Sequence, residues 1–237
     1  SPTGDQLAGT QFFKSDVQIF DSHHSDAAIQ TLKSTDINTK SGLAYETTTV
    51  TWSQDGHYLS GQTPNFEVLI WDVKKGNVLQ TLALPSRTTK NFVIAYDIQQ
   101  WSPKNVSQLA VVNLDAVNVW DALQNKLLLT FGTNDAAPLA TPPNAPDAWV
   151  PHMTGMAWSS NGRYLAGAYA RSNRVYIWDT QNPISSTSKD NLHVQNLYFG
   201  DNGHSQAISN LAWSPDGRYI ATASSDKTVI IWKVDGR

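Results

Sequence analysis

The chain has 237 residues, which suits one domain built from small repeated units or two modest domains. Its net charge of -3 and the lack of any basic block exclude the positive footprint that non-specific nucleic-acid binding needs. Cysteine is absent, which excludes disulfide bonds and thiolate chemistry, and no apolar run reaches the roughly 18–20 residues that a membrane-spanning helix needs. Membrane contact by this segment is not expected, and composition does not decide between a cytoplasmic and an exported protein.

Residues 1–32 form the first predicted unit, a turn followed by three short strand-like runs. Residues 1–4 read Ser-Pro-Thr-Gly, in which Pro presets one φ and Gly accepts a positive φ. Short apolar and β-branched runs follow at residues 7–8, 17–21 and 28–32, and they are typical of strands.

The first unit also contains the one segment with metal-ligand content, residues 21–26 (Asp-Ser-His-His-Ser-Asp). His23 and His24 between carboxylates are weak candidates for zinc or a similar ion. Neighbouring histidines point in different directions on an extended chain, and these residue types are ordinary in a solvated turn. We therefore expect no metal and no cofactor.

Four further units repeat one pattern, in which a Trp, a turn, a strand-like run and a second Trp follow each other. The first Trp of each unit lies in residues 50–56 (Val-Thr-Trp-Ser-Gln-Asp-Gly), 99–103 (Gln-Gln-Trp-Ser-Pro), 156–162 (Met-Ala-Trp-Ser-Ser-Asn-Gly) and 211–217 (Leu-Ala-Trp-Ser-Pro-Asp-Gly). The second Trp lies near the end of an apolar run at residues 69–72, 118–121, 176–179 and 230–233. The two tryptophans of a unit are therefore 19, 19, 20 and 19 residues apart. Fourth strands are predicted at residues 78–82, 127–131 and 192–199. The pattern predicts short antiparallel strands, and no helical periodicity lasts three turns.

On these residues the chain resembles the WD-repeat β-propeller family, whose four-stranded blades stand radially around a channel. The resemblance implies an all-β fold with strands a to d in each blade. The last unit also matches the family's buried hydrogen-bonded tetrad at His204, Thr222, Asp226 and Trp232. The position of Asp226 holds Ser172, Leu114, Asn65 and Lys14 in the other units, so we expect those blades to rely on packing.

The units span roughly residues 1–32, 48–82, 97–131, 153–199 and 207–237 of a single domain, with eighteen predicted strands. The first unit lacks strand a and the last lacks strand d. We therefore expect an open arc from a seven-bladed ring, incomplete at its N-terminus, whose missing strands come from the same protein or a second chain. The alternative is a distorted five-unit ring.

Strand alternation places the d–a and b–c loops on one face of the blades, where long loops at residues 33–48, 83–96 and 132–152 are candidates for function. Trp149, Arg171, Arg174 and Arg87 form the predicted interaction face, since Trp and Arg are enriched in binding hot spots. The alternative is that Trp149 packs under its own loop and the arginines are solvated.

Catalytic motifs are absent: the sequence contains no G-x-S-x-G, P-loop or H-E-x-x-H pattern. The predicted function is non-catalytic recognition of a protein or peptide partner or another ligand. The unit composition is similar to propeller regions of bacterial signalling proteins such as serine/threonine kinases, which implies a scaffold or sensor. The alternatives are a propeller hydrolase or lyase acting at the channel mouth, and a purely structural assembly module.

Overall fold

A computed structural model describes residues 1–10, 16–24, 27–34, 49–63, 67–84, 98–113, 116–131, 153–169, 173–181, 195–197 and 203–234. These residues hold eighteen β-strands and no helix. The strands form five antiparallel sheets in which each strand pairs with its neighbour along the chain. The all-β prediction is confirmed, and within the described ranges there is no helix of the length and apolarity needed to cross a membrane.

The sheets follow each other in chain order. The first holds β1 (Gln6–Thr10), β2 (Val17–Asp21) and β3 (Ala28–Leu32). The second holds β4 (Thr49–Trp52), β5 (Tyr58–Gln62), β6 (Glu67–Asp72) and β7 (Asn77–Ala83). The third holds β8 (Gln99–Trp101), β9 (Gln108–Asn113), β10 (Ala116–Asp121) and β11 (Lys126–Phe131). The fourth holds β12 (Met153–Trp158), β13 (Tyr164–Tyr169), β14 (Val175–Asp179) and β15 (Gln195–Leu197). The fifth holds β16 (Ile208–Trp213), β17 (Tyr219–Ser224) and β18 (Val229–Lys233).

Three of the turns that follow a first tryptophan have the same hydrogen-bond pattern. In the fifth sheet the Ser214 hydroxyl donates to Asp216 at 2.5 Å and accepts the backbone N–H of Tyr219 at 2.9 Å, while Gly217 adopts a φ of 71°. The second and fourth sheets repeat this arrangement with Ser53 and Ser159, both of which are buried. The serine therefore bridges the turn from inside, and glycine supplies the left-handed conformation that closes it.

The acidic residue after the second Trp closes the following turn. Asp72 accepts the backbone N–H of Lys75 at 2.9 Å, Asp121 that of Gln124 at 3.0 Å, and Asp179 that of Gln181 at 3.0 Å. Asp21 accepts that of His23 at 2.7 Å, although a Phe precedes it in place of Trp. The Trp-Asp pair therefore ends one strand and begins the turn to the next.

The core lies between consecutive sheets. We call the face that a sheet turns toward the next sheet its leading face, and the opposite one its trailing face. On the leading faces, two positions of strand c are fully buried in each of the first four sheets: Val17 and Ile19, Val68 and Ile70, Val117 and Val119, Val175 and Ile177. Each pair packs against the trailing face of the following sheet, which carries the next second tryptophan. Sheet stacking is thus continuous from the first sheet to the fifth.

A ladder of tryptophan hydrogen bonds connects the inner strands of successive sheets. The indole N–H of Trp101 donates to the carbonyl of Thr51 at 3.3 Å, that of Trp158 to Gln100 at 3.1 Å, and that of Trp213 to Ala157 at 3.1 Å. Each acceptor is the residue before the corresponding Trp of the preceding sheet. The first Trp of a unit therefore belongs to the contact between sheets and fixes the offset between them.

The first and fifth sheets each have three strands, and no strand pairing among the described residues joins these two sheets. Within the described ranges no fourth strand lies beside β18. The long loops at residues 35–48, 85–97 and 132–152 lie outside the described residues.

Candidate functional site

The most developed polar cluster is the tetrad of the fifth sheet. Trp232 donates its indole N–H to the Thr222 hydroxyl at 2.7 Å, and that hydroxyl lies 2.7 Å from His204 Nε2. His204 Nδ1 lies 3.0 Å from the Asp226 carboxylate. A neutral imidazole protonated on Nδ1 satisfies every contact, since Nε2 then accepts from Thr222 and Nδ1 donates to Asp226. His204, Thr222 and Trp232 are buried, so the cluster ties the segment before β16 to β17 and β18 from within.

Asp226 is the charged end of the cluster. Its carboxylate accepts the Thr228 hydroxyl at 2.5 Å and the backbone N–H groups of Thr228 at 2.9 Å and Ser205 at 3.0 Å. The Thr228 hydroxyl is the largest cause that holds the pKa of Asp226 well below its ordinary value. The backbone donors and the His204 ring act in the same direction, whereas desolvation opposes them.

This depressed pKa leads to a prediction about acid stability. Because the folded pKa lies below the unfolded one, ionised Asp226 stabilises the fold above a pH of about 4 and loses this contribution as the pH falls further. Asp226→Asn removes the titration, so the variant should be less stable at neutral pH and should approach the wild type in acid. Urea unfolding of both proteins from neutral pH to pH of about 3 measures the difference. Thr228→Val, which removes the main donor, should give an intermediate profile, and a pH-independent difference between Asp226→Asn and the wild type would contradict the prediction.

The other sheets hold different residues at the position of Thr222. Gly61, Val111 and Gly167 occupy it in the second, third and fourth sheets, and residues 14, 65, 114 and 172 lie outside the described residues. Consistent with the missing hydroxyl, the buried indole N–H groups of Trp120 and Trp178 have no hydrogen-bond partner among the described residues.

Packing replaces the tetrad in the fourth sheet. A Cβ on Gly167 would lie 2.8 Å from the Trp178 ring, and that ring stacks on Phe131 of the third sheet at a centroid distance of 5.7 Å. Glycine at this position therefore leaves room for the Trp178 ring in the core. The ring makes van der Waals contacts there in place of a side-chain hydrogen bond.

The predicted interaction face is only partly described. Three of its residues lie outside the described residues, namely Trp149, Arg171 and Arg87. Arg174 lies directly before β14, is half-buried and interacts with other residues. Next to it, Asn173 donates from its side-chain amide to the carbonyl of His204 at 2.9 Å. This hydrogen bond links the b–c loop of the fourth sheet to the tetrad of the fifth.

The two adjacent histidines are exposed. His24 Nδ1 lies 3.8 Å from Asp21, and the Asp21 carboxylate accepts the backbone N–H of His23, which is the largest cause that lowers the pKa of Asp21. No group of three metal-ligating side chains occurs in the part of the chain that the structure describes. Asp26, the other carboxylate of this segment, lies outside it.

One ion pair was missed by sequence reasoning. Arg163 donates two hydrogen bonds to Asp179 Oδ2, at 3.0 Å from Nε and 2.6 Å from Nη2, and its guanidinium lies 5.0 Å from the centroid of the Tyr164 ring. The pair joins the turn before β13 to the end of β14. Arg163 and Asp179 are 16 residues apart in the sequence, and only the antiparallel pairing of β13 with β14 brings them together.

Comparison with known proteins agrees with this geometry. The family model described as "WD domain, G-beta repeat" matches residues 146–179 and 195–233. Anaphase-promoting complex subunit cdc20 of Dictyostelium discoideum is 22% identical over 229 residues, which cover 95% of this chain and 37% of that protein. The Protein LST8 homolog of Drosophila melanogaster is 27% identical over 198 residues, which cover 82% of this chain and 53% of that protein.

A solved structure has the same fold. A chain in "Crystal Structure of Mitotic Checkpoint Complex" superposes with a TM-score of 0.62 at 20% identity, covering 97% of this chain and 59% of that chain. The present chain therefore spans between about a third and three fifths of these similar proteins. The family model shows WD repeats at residues 146–179 and 195–233, and the stacked antiparallel sheets together with the solved structure show that this chain has the WD-repeat β-propeller fold.

Proposed function

We propose that this chain is a non-catalytic recognition scaffold whose stacked blades hold a set of loops for a protein or peptide partner. The observation that carries the proposal is the tryptophan ladder, in which three indole N–H groups link four successive inner strands at 3.1–3.3 Å. A frame locked in this way keeps loops on different blades at constant separation, which lowers the conformational cost of binding.

Further contacts between blades support the rigid frame. The side-chain amide of Gln30 donates to the carbonyl of Val73 at 2.7 Å, and that of Gln80 to Leu123 at 3.4 Å. These glutamines occupy equivalent positions on the outer strands of the first and second blades, opposite Ile19 and Ile70. The outer strands of the first and second blades are therefore each linked to the following blade.

The proposed binding surface is the end of the blades that carries the d–a and b–c loops. Trp149, Arg171, Arg174 and Arg87 are the residues that we assign to it, because Trp and Arg supply large contact areas and directed hydrogen bonds. The Asn173–His204 hydrogen bond supports a fixed position for the segment just before β14, where Arg174 lies. At the opposite end, hydrogen bonds of the serine and aspartate side chains hold the a–b and c–d turns in shape.

The names of similar proteins support a role in assemblies. One is named as a subunit of the anaphase-promoting complex, and another comes from the structure of a checkpoint complex. The relatives from Dictyostelium discoideum and Drosophila melanogaster are eukaryotic and give no support to a bacterial signalling context. That context and a ring of seven blades stay expectations drawn from family resemblance.

A displayed random-peptide library, panned against the immobilised chain, tests the proposed surface. Selected peptides should lose at least about tenfold in affinity, or about 1.4 kcal/mol, with a Trp149→Ala, Arg171→Ala or Arg174→Ala variant. Lys126→Ala, an exposed change at the first residue of β11 on the opposite end, should leave affinity unchanged. No specific binder would overturn the recognition function, and binders insensitive to all three changes would overturn the assigned surface.

A further inference from the structure

Asn173 connects the fourth blade to the polar cluster of the fifth. Its side-chain amide donates to the carbonyl of His204 at 2.9 Å, from one blade to the next. Asn173 lies two residues before β14 begins, and His204 lies in the segment before β16. The bond therefore joins the b–c loop of one blade to the d–a segment of the next, at the end of the blades to which we assign partner binding.

The carbonyl that Asn173 binds is held by the tetrad. It belongs to the planar peptide group between His204 and Ser205, and the N–H of the same group donates to the Asp226 carboxylate at 3.0 Å. The His204 ring is fixed as well, because Nδ1 lies 3.0 Å from Asp226 and Nε2 lies 2.7 Å from the Thr222 hydroxyl. Since a peptide group is rigid, the position of Asp226 determines where the His204 carbonyl points.

Other contacts keep the distance between the fourth and fifth blades constant. The Thr154 hydroxyl donates to the carbonyl of Ile208 at 2.6 Å, and the Trp213 indole donates to that of Ala157 at 3.1 Å. Because the two inner strands are fixed in this way, a shift of the His204 carbonyl changes its hydrogen bond with Asn173 and leaves the spacing of the blades as it is.

Arg174 is the residue that this hydrogen bond positions. It lies between Asn173 and Val175, and Val175 is fully buried in the core between the fourth and fifth blades. The backbone of Arg174 is therefore held on one side by packing and on the other by the hydrogen bond to the fifth blade. Of these two restraints, only the hydrogen bond depends on the tetrad.

We propose that Asn173 is a positioning residue, through which the tetrad of the fifth blade sets the conformation of Arg174 in the partner-binding surface. The proposal rests on the recognition function described above. Asp226 is the origin of the effect, since it holds both the His204 ring and the peptide N–H of Ser205. Loss of this carboxylate therefore weakens partner binding on the neighbouring blade.

Peptides that are selected on the wild-type chain and weakened by Arg174→Ala measure the coupling. Asn173→Ala and Asp226→Asn should each reduce their affinity by about threefold to tenfold. The double variant should lose no more than Asn173→Ala alone, because the tetrad acts on Arg174 through the bond that this change removes. Thr228→Val, which removes one donor to Asp226, gives a milder perturbation if Asp226→Asn lowers the amount of folded protein.

Gln30→Ala is the matched control. The Gln30 amide also donates to a carbonyl of the next blade, that of Val73 at 2.7 Å, but it lies on the outer strand of the first blade. This variant loses a hydrogen bond of the same kind and should bind the selected peptides like the wild type. Equal losses for Gln30→Ala and Asn173→Ala, or additive losses for Asn173→Ala and Asp226→Asn, would overturn the proposal.

Amide hydrogen exchange of the chain without peptide separates this proposal from the recognition function. Asn173→Ala and Asp226→Asn should each speed exchange in the segment from Asn173 to Val175 by about threefold to tenfold, with no further increase in the double variant. Unchanged exchange in this segment would overturn the positioning role even where peptides bind. Failure to select any peptide would overturn the recognition function, and the exchange result would then decide the positioning role by itself.

Discussion

Trp71→Ala should lower the free energy of unfolding by about 3–5 kcal/mol, the largest effect that we expect from a single substitution in this chain. Trp71 is fully buried between the first and second blades, in a cluster with Val17, Ile19 and Leu32. Its indole N–H donates to the carbonyl of Lys33 at 3.2 Å. The substitution therefore creates a cavity between two blades and removes one of their hydrogen bonds. Urea denaturation followed by tryptophan fluorescence measures the change.

Leu79→Ala provides the comparison for this measurement. Leu79 lies in the same blade but is exposed on its outer strand, so its truncation should cost under about 1 kcal/mol. Equal losses for the two variants would show that blade stacking at Trp71 does not limit the stability of the chain.

Thr222→Val should lower the free energy of unfolding by about 1–3 kcal/mol, although it changes the volume of the side chain very little. The Thr222 hydroxyl accepts from Trp232 and contacts His204, both at 2.7 Å, and all three residues are buried. Valine fills the same space and leaves the indole N–H and the imidazole nitrogen without partners. Thermal and urea unfolding should both show the loss.

A double-mutant cycle separates this hydrogen bond from packing. If the Thr222–Trp232 contact carries the effect, Thr222→Val and Trp232→Phe together should cost less than the sum of the single changes, by about 0.5–3 kcal/mol. Thr31→Val, the same chemical change at an exposed position of β3, should stay within about 0.5 kcal/mol of the wild type. Additive losses in the cycle would show that the tetrad is not an energetic unit.

The strands were predictable because the residues that define each blade lie close together in the sequence. Turn residues and the two tryptophans bracket the second and third strands, and period-two apolar runs mark the strands themselves. The outer strands β3, β7 and β11 were predicted within one residue at each end. The predicted strand at residues 192–199 is shorter in the structure, where β15 is Gln195–Leu197.

The candidate site was predictable only in part. The resemblance to the WD-repeat family pointed to a tetrad in one unit, formed by His204, Thr222, Asp226 and Trp232, and the structure brings all four together. Neither the Arg163–Asp179 pair nor the Asn173–His204 hydrogen bond followed from local sequence, because each depends on strand or blade pairing. Trp149, Arg171 and Arg87 stay predictions, since they lie outside the described residues.

By itself the sequence determined the secondary structure, the repeat and the order of strands, because turn chemistry and alternating hydrophobicity act over a few residues. Only the tertiary structure decided which faces are covered. Ile177 and Ile231 occupy equivalent places in similar strands, yet one is fully buried and the other is 69% exposed. The same applies to Trp101, whose partner Thr51 is fifty residues away. Burial and these hydrogen bonds depend on the neighbouring blade. The sequence of one blade does not specify which surface packs against that blade.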